Sequence, residues 1–169
     1  MPLAEVDFFD LRYDHRHKSP VLFLKDAQRE KYLPVWIGEL EANSIELAVV
    51  QRTVPRPLTH DLLLSVMHDL GGRLQRVVID RLESRTYYAT LVLEHDGRLI
   101  HVDCRPSDAI ALALRERVAI FVDDELMYSI KFVEISEGED GEDDDDEPVD
   151  YDSFADFLKS ISPSDFKDS

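Results

Sequence analysis

The 169-residue chain holds a single cysteine, Cys104, so it can close no internal disulfide and build no multi-cysteine zinc site. Glycine is scarce at six residues, and none of them forms a Gly-rich phosphate loop or a dinucleotide fingerprint after an apolar run. Gly-x-Ser-x-Gly and His-Glu-x-x-His are also missing, which leaves esterases and zinc peptidases without support. No apolar run approaches the roughly 20 residues of a membrane span. The start Met1-Pro2-Leu3-Ala4-Glu5 has neither the basic nor the apolar region of a signal peptide, so a cytoplasmic protein with no membrane partner is expected. Positive charge is short as well: 19 Lys and Arg face 36 Asp and Glu, a net charge of −17. No dense basic run stands out, and composition alone nominates no nucleic-acid binder.

The acidity is unevenly placed. Residues 134–169 carry 15 acids and two lysines, a net −13, whereas residues 1–133 carry only −4. With 44% hydrophobic residues the first part can bury a substantial core. The expected organisation is one domain over residues 1–135, an acidic disordered linker over 136–150, and an amphipathic helix with a tail over 151–169. In that last segment Phe154, Phe157, Leu158 and Ile161 recur at helical spacing.

Within the domain, short apolar runs bounded by turn signals, and two-fold alternation from Arg73 on, predict strands at Val6–Leu11, Val21–Leu24, Tyr32–Ile37, Leu74–Leu82, Tyr87–Leu93, Arg98–Cys104, Ala119–Val122 and Tyr128–Ile135. Asp96-Gly97 is a hairpin signal because both positions tolerate positive φ. Asp123-Asp124-Glu125 reads as a solvated turn. Helical spacing predicts a helix over Glu39–Gln51 with Ala42, Ile45, Ala48 and Val49 inward. A second begins at Thr59, its candidate N-cap, with Leu63, Val66, Met67 and Leu70 inward, and a third is built on Ala109–Leu114. The expected class is α+β: a mixed, largely antiparallel sheet with three main helices, followed by the acidic tail and a short C-terminal helix. His15 and His17 lie two apart on the first polar connection, where surface histidines and a metal pair look alike.

Chemistry-bearing residues gather where predicted elements meet. In Asp103-Cys104-Arg105-Pro106-Ser107-Asp108 a strand turns into the third helix, with Ser107 the candidate N-cap and Asp108 complementing the helix dipole. Alternation puts Cys104 on the core face as an inert thiol, and His101 and Asp103 on the more polar face. Trp36-Ile37-Gly38-Glu39 with Glu41-Ala42 opens the first helix, and Arg56-Pro57-Leu58-Thr59-His60-Asp61 opens the second.

In order and spacing these three segments resemble the signatures of the bifunctional nuclease domain family, and the resemblance covers roughly residues 5 to 135. It implies a domain of mixed helices and strands that degrades both DNA and RNA, and it implies subunit association, so a homodimer or larger homo-oligomer is expected. Some members carry a small helical module of the excision-repair type after this domain; here an acidic tail stands instead.

Phosphodiester hydrolysis needs a group to activate water and a group to stabilise charge on phosphorus. The candidate catalytic residues are His60, Asp61, Asp103 and Asp108. Candidates for holding substrate are Arg56, Arg105 and Ser107. Glu39 and Glu41 are the candidate metal carboxylates, with Mg²⁺ or Mn²⁺ as the metal they suit and the cofactor itself left open. A different class fits the same residues: a non-catalytic binding or assembly protein in which they are helix caps, dipole partners and a subunit interface.

Overall fold

The computed structural model describes residues 2–14, 18–84 and 86–129. His15 and His17, the acidic segment 136–150 and the Phe154–Ile161 stripe lie outside the described residues.

Seven strands form one sheet in the order β3-β2-β1-β7-β4-β5-β6. The first three, β1 (Leu3–Asp14), β2 (Ser19–Asp26) and β3 (Tyr32–Trp36), make an antiparallel meander. A second antiparallel meander follows in β4 (Arg73–Glu83), β5 (Thr86–His95) and β6 (Arg98–Cys104). Strand β7 (Ala119–Asp123) joins the two, antiparallel to β1 and parallel to β4, and this is the one parallel pairing among the described strands. The expected mixed, largely antiparallel sheet is therefore the sheet observed.

Alternation explains most of the faces. Along β5, Ala89 and Leu91 are buried while Tyr87 and Leu93 pack against the core, as period two requires. Strand β4 bulges between Leu74 and Arg76 and again between Ile79 and Arg81, so its inward residues run Leu74, Val77, Ile79 instead of in strict alternation. Asp96 and Gly97 take φ of 51° and 72°, the two positive values that a tight hairpin turn between right-twisted strands demands.

The helices are α1 (Glu39–Val49), α2 (Thr59–Asp69), α3 (Pro106–Glu116) and α4 (Asp124–Ser129). Helix α3 carries the chain back from the sheet edge β6 to the interior strand β7, packing on β4, β5 and β7 with α1 and α2 against it. Pro106 starts it at the first helical position, where a missing N–H costs nothing. Arg105 is its N-cap residue and Ser107 is buried one position inside the helix, so Ser107 is not the cap the sequence suggests. Ala109 to Ala113 are all essentially inaccessible. The uniform apolarity of α3 is thus accounted for within this chain, which covers that helix itself and leaves no apolar side of it for a second subunit.

Two further expectations are corrected. In α2 only Leu64 is buried and Met67 packs against the core, whereas Leu63, Val66 and the C-cap residue Leu70 are exposed, Leu70 at 71%. The helix touches α3 at the rim of its layer, so the face it buries is the line His60, Leu64, Met67, at i, i+4 and i+7. Near the end of the described chain, Tyr128 and Ser129 belong to α4 and not to a strand, and Asp123 is buried, with its carboxylate accepting the Glu125 N–H at 2.9 Å to start that helix. The remainder of the expected Tyr128–Ile135 strand lies outside the described residues.

Because Ile110 is fully buried at the centre of α3, Ile110→Ala should lower unfolding free energy by about 2–5 kcal/mol. Chemical denaturation checks this, and an unchanged midpoint would contradict the central packing of α3.

Candidate functional site at the heads of three helices

The first turn of α3 meets the first turns of α1 and α2, and the polar side chains there bond to one another. His60 sits on the inward line of α2, and its side chain is only 12% exposed. Ser44 Oγ lies 2.8 Å from His60 Nδ1, and His60 Nε2 lies 3.2 Å from Asp108 Oδ1. Arg105 donates to the same carboxylate twice, from Nε at 2.7 Å and from Nη2 at 2.9 Å, and its Nη1 lies 2.8 Å from Glu41 Oε1. A guanidinium carries five N–H groups and these contacts occupy three, so Arg105, which remains mostly exposed, keeps donors for an anion.

Behind the histidine a second arginine ties the helices together. Arg115 donates from Nε to Asp61 Oδ1 at 2.6 Å, from Nη1 to the carbonyls of Ser44 and Ala111, and from Nη2 to Ser44 Oγ at 3.1 Å. The other oxygen of Asp61 accepts the Leu58 N–H at 2.9 Å, so Asp61 caps α2 and Leu58, not Thr59, is the N-cap residue.

The electrostatics follow from these contacts. Partial burial alone would raise the Asp108 carboxyl, but hydrogen bonds from Arg105 and then His60 outweigh it and hold the group below its ordinary value. Asp61 is likewise lowered against the effect of burial, by Arg115 and the Leu58 N–H. Asp108 is therefore an acceptor only. It accepts the hydrogen bond of a His60 Nε2–H, and in the neutral ring Nδ1 is then bare and accepts the Ser44 hydroxyl. Burial first, and the nearby carboxylates after it, push the Cys104 thiol up to about 12, which makes it the inert core thiol expected.

Of the sequence candidates, then, the fold joins His60, Asp61, Asp108, Arg105 and Glu41 in one bonded cluster. Asp103 stands apart from it at 70% exposure, 3.7 Å from Arg81, and Arg56 and Glu39 are exposed. Ser107 does not bond to the cluster but lines a cleft of about 430 Å³ beside it, together with Trp36, Gly38, Glu41, Tyr87 and Arg105. Gly38 serves by close approach: a Cβ there would collide with the Glu41 carboxylate, whose place is against Arg105. Among the described residues no three His, Cys, Asp or Glu side chains group as a metal site. Ser44 and Arg115 are cluster members that sequence reading missed. Their signal is helical spacing, since Ser44 follows Glu41 by three and Arg115 follows Asp108 by seven.

An α+β domain with a meander at each end of its sheet and a histidine, an ionised carboxylate and an arginine bonded at its helix heads has the side chains of acid–base and anion-binding chemistry. The chain belongs to the bifunctional nuclease domain family, whose sequence model matches residues 22–134. It is 36% identical over 165 residues to an uncharacterized protein of Mycobacterium tuberculosis, covering 98% of this chain and 99% of that one. It is 28% identical over 122 residues to bifunctional nuclease 1 of Oryza sativa subsp. indica, and 28% over 116 residues to bifunctional nuclease 2 of Arabidopsis thaliana. Those alignments cover 70% and 67% of this chain but only 37% and 35% of the plant proteins. Among the described residues no helix is long and apolar enough to cross a membrane.

The depressed Asp61 carboxyl stabilises the fold fully above the ordinary value of 3.8, and that contribution is lost as pH falls through the lower folded value. Asp61→Asn should therefore be less stable than wild type at neutral pH, with the two stability curves converging in acid. A constant gap from pH 7 to pH 2, in denaturation midpoints measured across that range, would contradict the ion pair as the source.

Proposed function

We propose that the protein hydrolyses phosphodiester bonds in DNA and RNA. The observation that carries this reading is the Ser44–His60–Asp108 chain ending on an Arg105 guanidinium that still has donors to offer. Family membership supports it, as do relatives that are themselves named bifunctional nucleases. Asp108 orients His60, and bare Nδ1 is the basic atom, reached through the Ser44 hydroxyl, which relays the proton of the attacking water. Arg105 faces the charge that develops on the phosphoryl oxygens, where its planar fork suits two oxygens at once. Glu41 is the carboxylate through which Mg²⁺ or Mn²⁺ would enter, since Mg²⁺ keeps most of its water and needs only one or two protein carboxylates beside substrate phosphate.

The rival is an assembly protein whose helix heads are only structural. What favours it is that each cluster member already has a protein partner, while Leu62 and Val66 of α2, Leu70 just after it and Leu99 of β6 lie exposed. These apolar residues also support the homodimer or larger homo-oligomer that we propose for either reading.

His60→Ala and Asp108→Asn should each slow cleavage of single- and double-stranded DNA and RNA by at least about tenfold, a modest share of the 10²–10⁴ typical of general acid–base groups. Asp103→Asn, outside the cluster, should cleave at nearly the wild-type rate. Assays with purified protein, with and without Mg²⁺ or Mn²⁺, check all three. Full activity in His60→Ala would remove the mechanism, and no cleavage by wild type under any of these conditions would favour the assembly protein.

A further inference from the structure

We propose that Trp36 and Tyr87 form a nucleobase platform in the cleft beside Arg105, and that the substrate is accordingly single-stranded nucleic acid. The proposal rests on the nuclease reading for its class of ligand and adds to it a base subsite. Trp36 ends the edge strand β3 between Val35 and Ile37, which are buried, so alternation turns its indole outward and leaves it 45% exposed. Its position is nonetheless defined: the ring N–H donates to Asp14 Oδ2 at 2.8 Å. Tyr87 reaches the same cleft from the start of β5 and packs against the core on its other side. Two aromatic rings held by the fold thus share about 430 Å³ with Arg105, the mostly exposed arginine of the cluster, a volume in the range of small-ligand sites.

Charge sharpens the choice of substrate. Residues 1–133 have a net charge of −4, and Arg105 is already flanked by Glu41 and Asp108. Few phosphates can be neutralised here, so counterion release supplies little affinity and binding must draw on something else. Stacking is the contribution left, because every base presents a π-face, and in a duplex those faces are already covered. A base must be free of its stack to lie on Trp36, which a single strand provides without the cost of extrusion.

Trp36 is the only tryptophan of the chain, so its emission reports the platform directly. The test titrates the full chain with a phosphorothioate oligothymidylate, which resists cleavage, with an abasic strand of equal length and linkage, and with a duplex. Expected are quenching of Trp36 by the oligothymidylate alone, weaker binding of the other two, and a salt dependence of about one phosphate contact, a log–log slope near −0.7. Trp36→Ala should weaken binding about tenfold, at the lower end of what removing one stacking ring costs, with Trp36→Phe recovering most of it in an anisotropy assay on a labelled strand. Equal affinity for the abasic strand, binding without a change in emission, or no binding of any strand would overturn the platform. Cleavage by wild type alongside equal abasic binding would spare the nuclease reading, whereas quenching without cleavage would sink that reading and leave the platform standing.

Discussion

Helix α3 is buried on almost every side, and that one constraint dictates the polar chemistry at both its ends. The strands β4, β5 and β7 and the helices α1 and α2 enclose Ala109 to Ala113 completely. Side chains at the margins of such a helix have little water to turn to. A buried donor left without its acceptor costs about 1–3 kcal/mol, and Arg115 avoids that by reaching Asp61 on α2, Ser44 on α1 and Ala111 of its own helix. The same packing that hides α3 therefore brings three helix heads together, and the site is assembled where they meet.

Much of the fold was legible in the sequence because its signals are local. Apolar and alternating runs marked seven strands, Asp96-Gly97 marked a hairpin, and Ala42, Ile45 and Ala48 marked the inner face of α1, although Val49, expected with them, is exposed. What misled was composition without context. The α2 segment holds enough Leu, Val and Met to draw a stripe on more than one side, and only its place at the rim of the layer decides that Leu64 goes in while Leu63 and Val66 stay out. Likewise Asp123 reads as solvated until the Glu125 N–H needs an acceptor. Side-chain capping at helix starts was misread by one residue at α2 and by two at α3, since Ser or Thr near a helix start suggests a cap but does not say which backbone N–H is left over.

The site divides along the same line. His60, Asp61, Asp108, Arg105 and Glu41 lay in segments where an element begins, and the fold joins them. Asp103 and Glu39 had equally good local reasons, but neither enters the cluster: Asp103 sits on the edge strand β6 beside Arg81, and Glu39 is exposed at the first position of α1. Ser44 and Arg115 escaped notice because each sits inside a helix, where a hydroxyl or a guanidinium looks like an ordinary surface residue. Their importance comes from a neighbouring helix, and nothing local to Ser44 announces His60.

At the centre of the account is a histidine whose proton position is set by its neighbours. Ionised Asp108 claims Nε2–H, which leaves Nδ1 bare toward the Ser44 hydroxyl and gives the cluster its basic atom. Nitrogen NMR of the histidine rings, with His60 assigned through His60→Ala, reads this directly. The neutral His60 ring is expected as the Nε2–H tautomer, with a mixture of tautomers once Asp108→Asn removes the acceptor charge. A proton found on Nδ1 in the neutral wild-type ring would contradict it.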